Sequence, residues 1–400
     1  MDQAVRRRRQ ALFLLFLLAG IAMSSWVTRT PAIRDALDVS TAQMGLVLFG
    51  LSLGSMLGIL ASGRLVSRSG TRPVIFWATA LLILGMATIC AGSLMMSISM
   101  VTAGLCAFGV GMGASDVAAN IDATDVERTS GVTTMPALHG CFSLGTVLGA
   151  GAGMGATAAD VPVHWHLAAV TALAVAIFFH SPRAVPAGTG RATVDESAKT
   201  HGPGSRPAVW RDGKLVLIGG IVLAMALAEG AANDWLPLLM VDGHGMDATL
   251  GSLVYAGFAA AMTLGRFAAS FFLSRFGRAP VMRVSAVAGA LGLLLVIASD
   301  NAVVAGVSVL LWGLGASLGF PLALSAAGES GSDEAARVSL VATIGYVAFL
   351  VGPPGLGFLG EHIGLRAAML VVLAFVVLAA FLAPAVEPRR DGAAERIPQR

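Results

Sequence analysis

Two carboxylates, Asp116 and Glu229, stand inside long apolar stretches, and each is followed four positions later by an asparagine, Asn120 and Asn233. Four residues make about one helical turn, so in each pair the acid and the amide share a helix face. An ionised carboxylate in hydrocarbon costs about 3 kcal/mol or more, so both acids are candidates for function. The chain has only three asparagines, and two of them accompany these acids. Such faces offer the donors and acceptors that replace a polar solute's hydration in a cavity. The competing reading is an interhelical hydrogen bond that only fixes packing.

His139 enters the next apolar stretch at a depth expected to match Asp116 on its antiparallel neighbour, so the two are placed to exchange a proton near neutral pH. A hydrogen bond from the imidazole to a backbone carbonyl or to Ser143 is the alternative. Trp26 and Arg29 share a stripe with Ala22 and Ser25, and Trp235 lies at comparable height with Asp234 beside it. These tryptophans suit stacking on a ring of the solute, or anchoring at a membrane interface. Arg29 suits an anionic group, a pairing with Glu229 or Asp234, or snorkelling to the surface; Asp234 divides between cavity and rim. Arg266 is expected in the network of a basic loop rather than in a cavity.

The elements that position these residues follow from composition. Hydrophobic residues make up 56% of the 400 positions and charged residues 12%, which excludes a water-soluble shell. Stretches of about twenty apolar residues, each long enough to cross hydrocarbon about 30 Å thick, are expected at 11–30, 43–63, 73–93, 100–121, 132–156, 164–180, 214–238, 249–272, 281–299, 302–326, 337–359 and 366–384. The bilayer is the expected solvent and lipid partner. The formal charge of +3 comes from basic residues scattered at span ends, with no aromatic-interleaved patch for nucleic acid. With a cytoplasmic N terminus, every Lys and Arg except Arg29, Arg34, Arg366 and Arg266 falls in or beside a cytoplasmic segment, as the positive-inside rule requires. Cys90, Cys106 and Cys141 all fall inside apolar stretches and suit neither a disulfide nor a metal cluster.

Residues 181–213, with Pro182, Pro186, Pro203 and Pro207, are too polar to span and read as a cytoplasmic linker. It divides a six-helix unit at 1–180 from a second at 214–400, the latter ending in a short cytoplasmic tail. The units repeat: at an offset of 207, Leu46, Gly50, Gly58, Arg68, Gly70 and Pro73 match Leu253, Gly257, Gly265, Arg275, Gly277 and Pro280. Duplicated bundles with a site at their interface are a recurring transporter plan.

The stretch from Gly63 through Arg68, Gly70 and Arg72 to Pro73, and again Arg275, Gly277 and Arg278, resembles the signature between helices 2 and 3 of the major facilitator superfamily, with Ser67 and Ser274 in place of its usual acid. Within that superfamily, Ser115 to Asn120 with Val126 to Arg128, His139 to Gly145, and Glu229 to Trp235 resemble the bacterial YbjJ-type inner-membrane proteins. The resemblance implies an all-α fold of twelve transmembrane helices in two six-helix bundles, and gating loops at Gly63, Arg68, Gly70, Arg72, Arg275, Gly277 and Arg278. It also implies a central cavity lined mainly by helices 1, 4, 7 and 10, and alternating access in the bacterial inner membrane with both termini cytoplasmic. Ala150 replaces the proline of the antiporter signature on helix 5, and helix 4 lacks the arginine of many proton-coupled members. Gly352-Pro353-Pro354-Gly355 is expected to interrupt helix 11 and permit bending.

Gly151 to Gly155 follows no strand, and neither Lys199 nor Lys214, the chain's two lysines, sits in a phosphate-binding loop. No enzyme, cofactor or metal is expected. A monomeric secondary transporter for a small solute, sugar-like or otherwise polar, is. Glu229, or Asp116 with His139, would couple protons, while Trp26, Arg29, Asn120, Glu229, Asn233, Asp234 and Trp235 would contact the solute. The alternatives are an efflux pump for amphipathic compounds and a receptor or scaffold that keeps the fold without transport.

Overall fold

A computed structural model describes residues 3–132, 134–191, 211–331 and 334–387, and these are helical with short connections. The helices are α1 (Gln3–Thr28), α2 (Thr30–Leu37), α3 (Thr41–Ser69), α4 (Thr71–Leu94), α5 (Ile98–Ser130), α6 (Met135–Ala158), α7 (Val163–His180), α8 (Gly213–His244), α9 (Ala248–Phe276), α10 (Arg278–Ala298), α11 (Ala302–Ala316), α12 (Gly319–Gly328), α13 (Glu334–Ile363) and α14 (Leu365–Leu382). Eleven segments are long and apolar enough to span a membrane, with α11 and α12 counted as one, and α7 contributes a shorter apolar helix. They form two six-helix bundles.

The internal repeat is reproduced to the residue. Helices α3 and α9 each have 29 residues, and their starts, at 41 and 248, differ by the same 207. Ser40 and Asp247 cap them by accepting from the backbone amides of Gln43 and Leu250, which satisfies donors that a helix start leaves open. Both helices end at a left-handed glycine, Gly70 at φ 87° and Gly277 at φ 79°. An L side chain is strained in that region, so these signature glycines allow the chain to leave one helix and start the next without a loop.

Glycines also set how closely helices approach. A Cβ on Gly145, Gly149 or Gly153 of α6 would run into Leu17, Ile21, Ser24 or Thr28 of α1, so the four-residue glycine spacing is a groove for α1. The bundles meet along α3 with α13 and α6 with α9. A Cβ on Gly357 of α13 would lie 2.9 Å from the Gly45 Cα of α3 and 3.1 Å from the Trp235 ring. Hydrogen bonds between bundles gather where α1 finishes: Ser252 Oγ donates to the Thr28 carbonyl at 3.0 Å, the Ala42 amide to Glu361 at 3.2 Å, and Arg34 pairs with Asp242. At the opposite end, ion pairs among the described residues stay within one bundle, as with Arg8 and Asp122, Arg278 and Glu329, and Arg337 and Asp212. The molecule is latched at one end.

Three expectations need correction. Residues 30–37, at and beyond the expected end of the first span, form the short helix α2, because Pro31 at its start and the left-handed Asp38 at its end bound two amphipathic turns. The tenth span breaks after Ala316 into α11 and α12, with Ser317 Oγ turned back onto the Leu314 carbonyl at 2.6 Å. Helix α13, expected to be interrupted, runs unbroken through Pro353 and Pro354. Prolines remove backbone donors yet remain compatible with a packed membrane helix. Of the expected linker, residues 182–191 fold back on the first bundle, where the Thr71 amide donates to the Thr189 carbonyl at 2.8 Å and Arg191 Nε to the Arg68 carbonyl at 3.0 Å. Residues 192–210 lie outside the described residues.

Candidate functional site

Between the bundles lies a cavity of about 280 Å³. The second bundle supplies its charge and amide: Glu229 and Asn233 from α8, and Tyr255, Thr263 and Arg266 from α9. The first bundle supplies Met23, Met112 and Phe142 with the hydroxyls of Ser55, Ser143 and Thr146. Spans 1, 4 and 7 contribute as expected. The tenth does not, and α3, α6, α9 and α13 take its place.

Arg266 Nη2 donates to Glu229 Oε1 at 3.0 Å, with 31% and 18% of the two side chains exposed. Arg266 is thus a cavity residue, which corrects its expected place in the basic-loop network. Glu229 lies at the middle of the 32-residue α8, where an unpaired charge would be costly, and the guanidinium supplies the counter-charge. One turn further on, Asn233 Oδ1 accepts from the fully buried Tyr255 hydroxyl at 3.1 Å. Acid, amide, phenol and guanidinium therefore form one wall, with Glu229 and Asn233 on a shared face as their spacing requires.

Asp116 and Asn120 share a face too, with Asn120 Nδ2 donating to Asp116 Oδ1 at 3.2 Å, but they lie outside the cavity lining. Asp116 sits near the middle of α5, whose helix continues to Ser130, whereas His139 is one turn into α6. No hydrogen bond or ion pair joins them among the described residues. Each still feels the other's charge, and His139 also feels that of Arg266. A line of titratable and charged groups thus runs from Glu229 through Arg266 and His139 to Asp116. His139 further packs edge-on against Phe16, with ring centroids 5.4 Å apart.

The remaining candidates stand apart from this cavity. Arg29 is buried and donates to Thr157 Oγ1 at 2.8 Å and to the Val161 carbonyl; it neither pairs with Glu229 or Asp234 nor snorkels. Trp26 and Trp235 are fully buried in the core, not at an interface. Asp234 is buried toward the latched end and has no hydrogen bond or ion pair among the described residues. Trp26, Arg29, Asp234 and Trp235 are buried and do not line the cavity.

In the signature loops, Ser67 Oγ donates to the Arg64 carbonyl at 2.9 Å and Ser274 Oγ to the Phe271 carbonyl at 3.0 Å. The hydroxyls that replace the acids serve their own helices and join no bundles. Arg278 holds Glu329 through both guanidinium nitrogens, at 2.7 and 2.5 Å, and keeps that carboxyl below the usual carboxylate range. Arg275 lies over the Phe276 ring at 5.8 Å. Gly63 is open to space, Arg68 is exposed, and Arg72 faces the outer wall of the bundle.

The model of the Major Facilitator Superfamily matches residues 11–338 and 252–400. An uncharacterized transporter, y4wD, of Sinorhizobium fredii is 32% identical over 373 residues, covering 93% of this chain and 96% of its own. Among solved structures, the nucleoside transporter NupG (a D323A mutant) superposes with a TM-score of 0.75 at 16% identity, over 94% of this chain and 99% of NupG. The xylose transporter XylE from E. coli, in a partially occluded inward-open conformation, gives 0.75 at 13%, over 98% and 100%. Two bundles related by a repeat, with a largely apolar cavity at their interface that holds an ion pair and an amide, define a membrane transporter rather than an enzyme. The chain belongs to the Major Facilitator Superfamily.

Proposed function

We propose that the chain is a proton-coupled secondary transporter that binds one small, hydrogen-bonding solute between its bundles and moves it by alternating access. The observation that carries this is the Glu229–Arg266 pair lining a cavity that both bundles build. A scaffold that had kept only the fold would have no reason to hold an ion pair beside a cavity at mid-membrane, given its cost. The sugar and nucleoside named for XylE and NupG are compatible with the wall of Asn233, Tyr255 and Arg266. The YbjJ-type subgroup suggested by the sequence fits the same reading and names no substrate.

A second reading, efflux of amphipathic compounds, is favoured by the apolar residues contributed by both bundles. Met23, Met112, Met262, Phe142, Phe258 and Phe349 give the cavity an adaptable apolar side. Purified protein is to be screened by thermal shift against sugars, nucleosides and amphipathic cations, and the stabilising compounds tested for uptake in proteoliposomes. Stabilisation by amphipathic cations alone would select the efflux reading.

Asn233→Ala is expected to weaken binding of the selected compound by about tenfold while lowering the melting temperature little. Water in the half-exposed cavity can replace the amide beside Tyr255 in the empty protein, whereas a bound solute loses a direct hydrogen bond. Isothermal titration beside thermal unfolding separates the two effects. A lower melting temperature with unchanged affinity would assign Asn233 to packing.

The termini, the segment 181–213 and the unlatched end are proposed to be cytoplasmic, in a bacterial inner membrane, with bundles at 1–180 and 214–400 in a monomeric protein. The latched end is then the outer one, and the conformation faces inward. In intact cells, an impermeant maleimide should label Ser99→Cys, in the α4–α5 connection region, and should not label Thr129→Cys near the end of α5; both positions are exposed. The reverse pattern inverts the topology.

A further inference from the structure

The outer wall of the first bundle carries a second groove, apart from the central cavity. It has a volume of about 510 Å³ and lies between the start of α4, with Arg72, Phe76 and Trp77, and the end of α7, with Phe178, Phe179 and the following Arg183. Its floor is aromatic and continuous. The Phe76 ring meets Trp77 edge-on at 5.2 Å and Phe178 at 4.8 Å, and Phe178 meets Phe179 at 5.8 Å. Trp77 is 70% exposed and Phe179 57%, exposure that makes sense for aromatic rings facing lipid at the headgroup level.

Two cations stand over this floor. Arg72 and Arg183 are exposed, have no ion pair among the described residues, and share the groove with no carboxylate. We propose that the groove binds an anionic phospholipid, its phosphate between the two guanidinium groups and its glycerol and first methylenes on Phe76, Trp77 and Phe178. Arginine presents a planar fork of donors that matches phosphate oxygens, and a basic pocket between helices on the cytoplasmic side faces the leaflet whose lipids carry negative charge. A free phosphate ion would satisfy the arginines and leave the aromatic floor uncovered. An apolar partner helix would cover the floor and leave two cations without counter-charge. The phospholipid satisfies both.

The leaflet rests on the cytoplasmic N terminus proposed above, but binding in detergent does not, so maleimide labelling and lipid binding fail independently. The test uses the full chain in neutral detergent, titrated with phosphatidylglycerol, with phosphatidylcholine of the same acyl chains, and with inorganic phosphate, and read by thermal shift. Phosphatidylglycerol should raise the melting temperature in a saturable way, and neither of the others should. The double variant R72Q/R183Q should bind phosphatidylglycerol about twenty-five-fold more weakly, from about fivefold per arginine, while R72K/R183K, which keeps the charge and loses the fork, should fall between that variant and the parent protein. Trp77→Ala, with both arginines intact, should also weaken binding, and it carries the test should the glutamine variant not fold. Equal stabilisation by phosphatidylcholine, or an unchanged response in R72Q/R183Q, overturns the proposal. An arginine-dependent shift with inorganic phosphate alone would make this a free-anion site and overturn the lipid assignment.

Discussion

Glu229→Gln is expected to abolish accumulation driven by a pH gradient or membrane potential while leaving solute exchange between the two sides largely intact. With Arg266 Nη2 3.0 Å from its carboxylate, Glu229 neutralises a cation that would otherwise stand alone at mid-membrane. A proton arriving at Glu229 removes that counter-charge and releases the guanidinium, which becomes free to hold a solute oxygen in the same cavity. In the proposed coupling, proton and solute would be linked through one arginine, and linkage is reciprocal. Glutamine keeps the shape and one acceptor but fixes the site in the condition the proton would create, so the solute can still bind and cross. A potential of 100 mV supplies about 2.3 kcal/mol per proton carried, enough for nearly fifty-fold accumulation at about 1.4 kcal/mol per decade. In proteoliposomes the variant should fall from such a ratio to about unity, while counterflow of labelled solute continues. Undiminished accumulation would remove Glu229 from the coupling step and transfer the role to Asp116 with His139, the other end of the charged line.

The parts of this site that were legible in the sequence are those whose chemistry contradicts their surroundings. Glu229 and Asn233 stand out because a carboxylate and an amide one turn apart in an apolar run need an explanation, and the structure sets both on one cavity wall. Tyr255 could not be found this way. An aromatic residue in an apolar run is indistinguishable from core until its hydroxyl is seen donating to Asn233. Arg266 was misplaced because a span ending at 272 puts it near the membrane surface, whereas α9 continues to Phe276 and the arginine reaches inward along its long stem. The existence and order of the spans were legible because they rest on a repeat, on turn glycines and on apolar length, while the helix ends, as at Phe276 and Ser130, were not. The latched end was not, since which bundle faces approach depends on the conformation and not on any local pattern.

The same boundary effect hides the residue whose loss should cost the most stability. An expected end of the fourth span at 121 leaves Asp122 outside, as a loop acid, yet α5 continues to Ser130 and its carboxylate has no exposed surface. Arg8 donates to it through Nε and Nη2, both at 2.7 Å, and Thr71 Oγ1 donates at 2.9 Å. Arg8 also reaches Asp125 at 2.9 Å and Thr189 at 3.3 Å. One carboxylate therefore ties the starts of α1 and α4 to α5 and anchors the segment after α7. Removing one member of a buried pair leaves the other charge uncompensated, at a cost of about 3–5 kcal/mol. Asp122→Ala should lower the apparent melting temperature in detergent by several degrees, while Arg7→Ala, at the exposed residue next to Arg8, should leave it unchanged. Replacing both partners by leucine should recover much of the loss, because no buried charge then remains unpaired. If Asp122→Ala melts like the parent protein, or if the double variant is less stable than the single one, the anchoring role of the pair is wrong, and the contact between α1 and α5 rests on Leu12, Leu15 and Phe16 and their apolar neighbours.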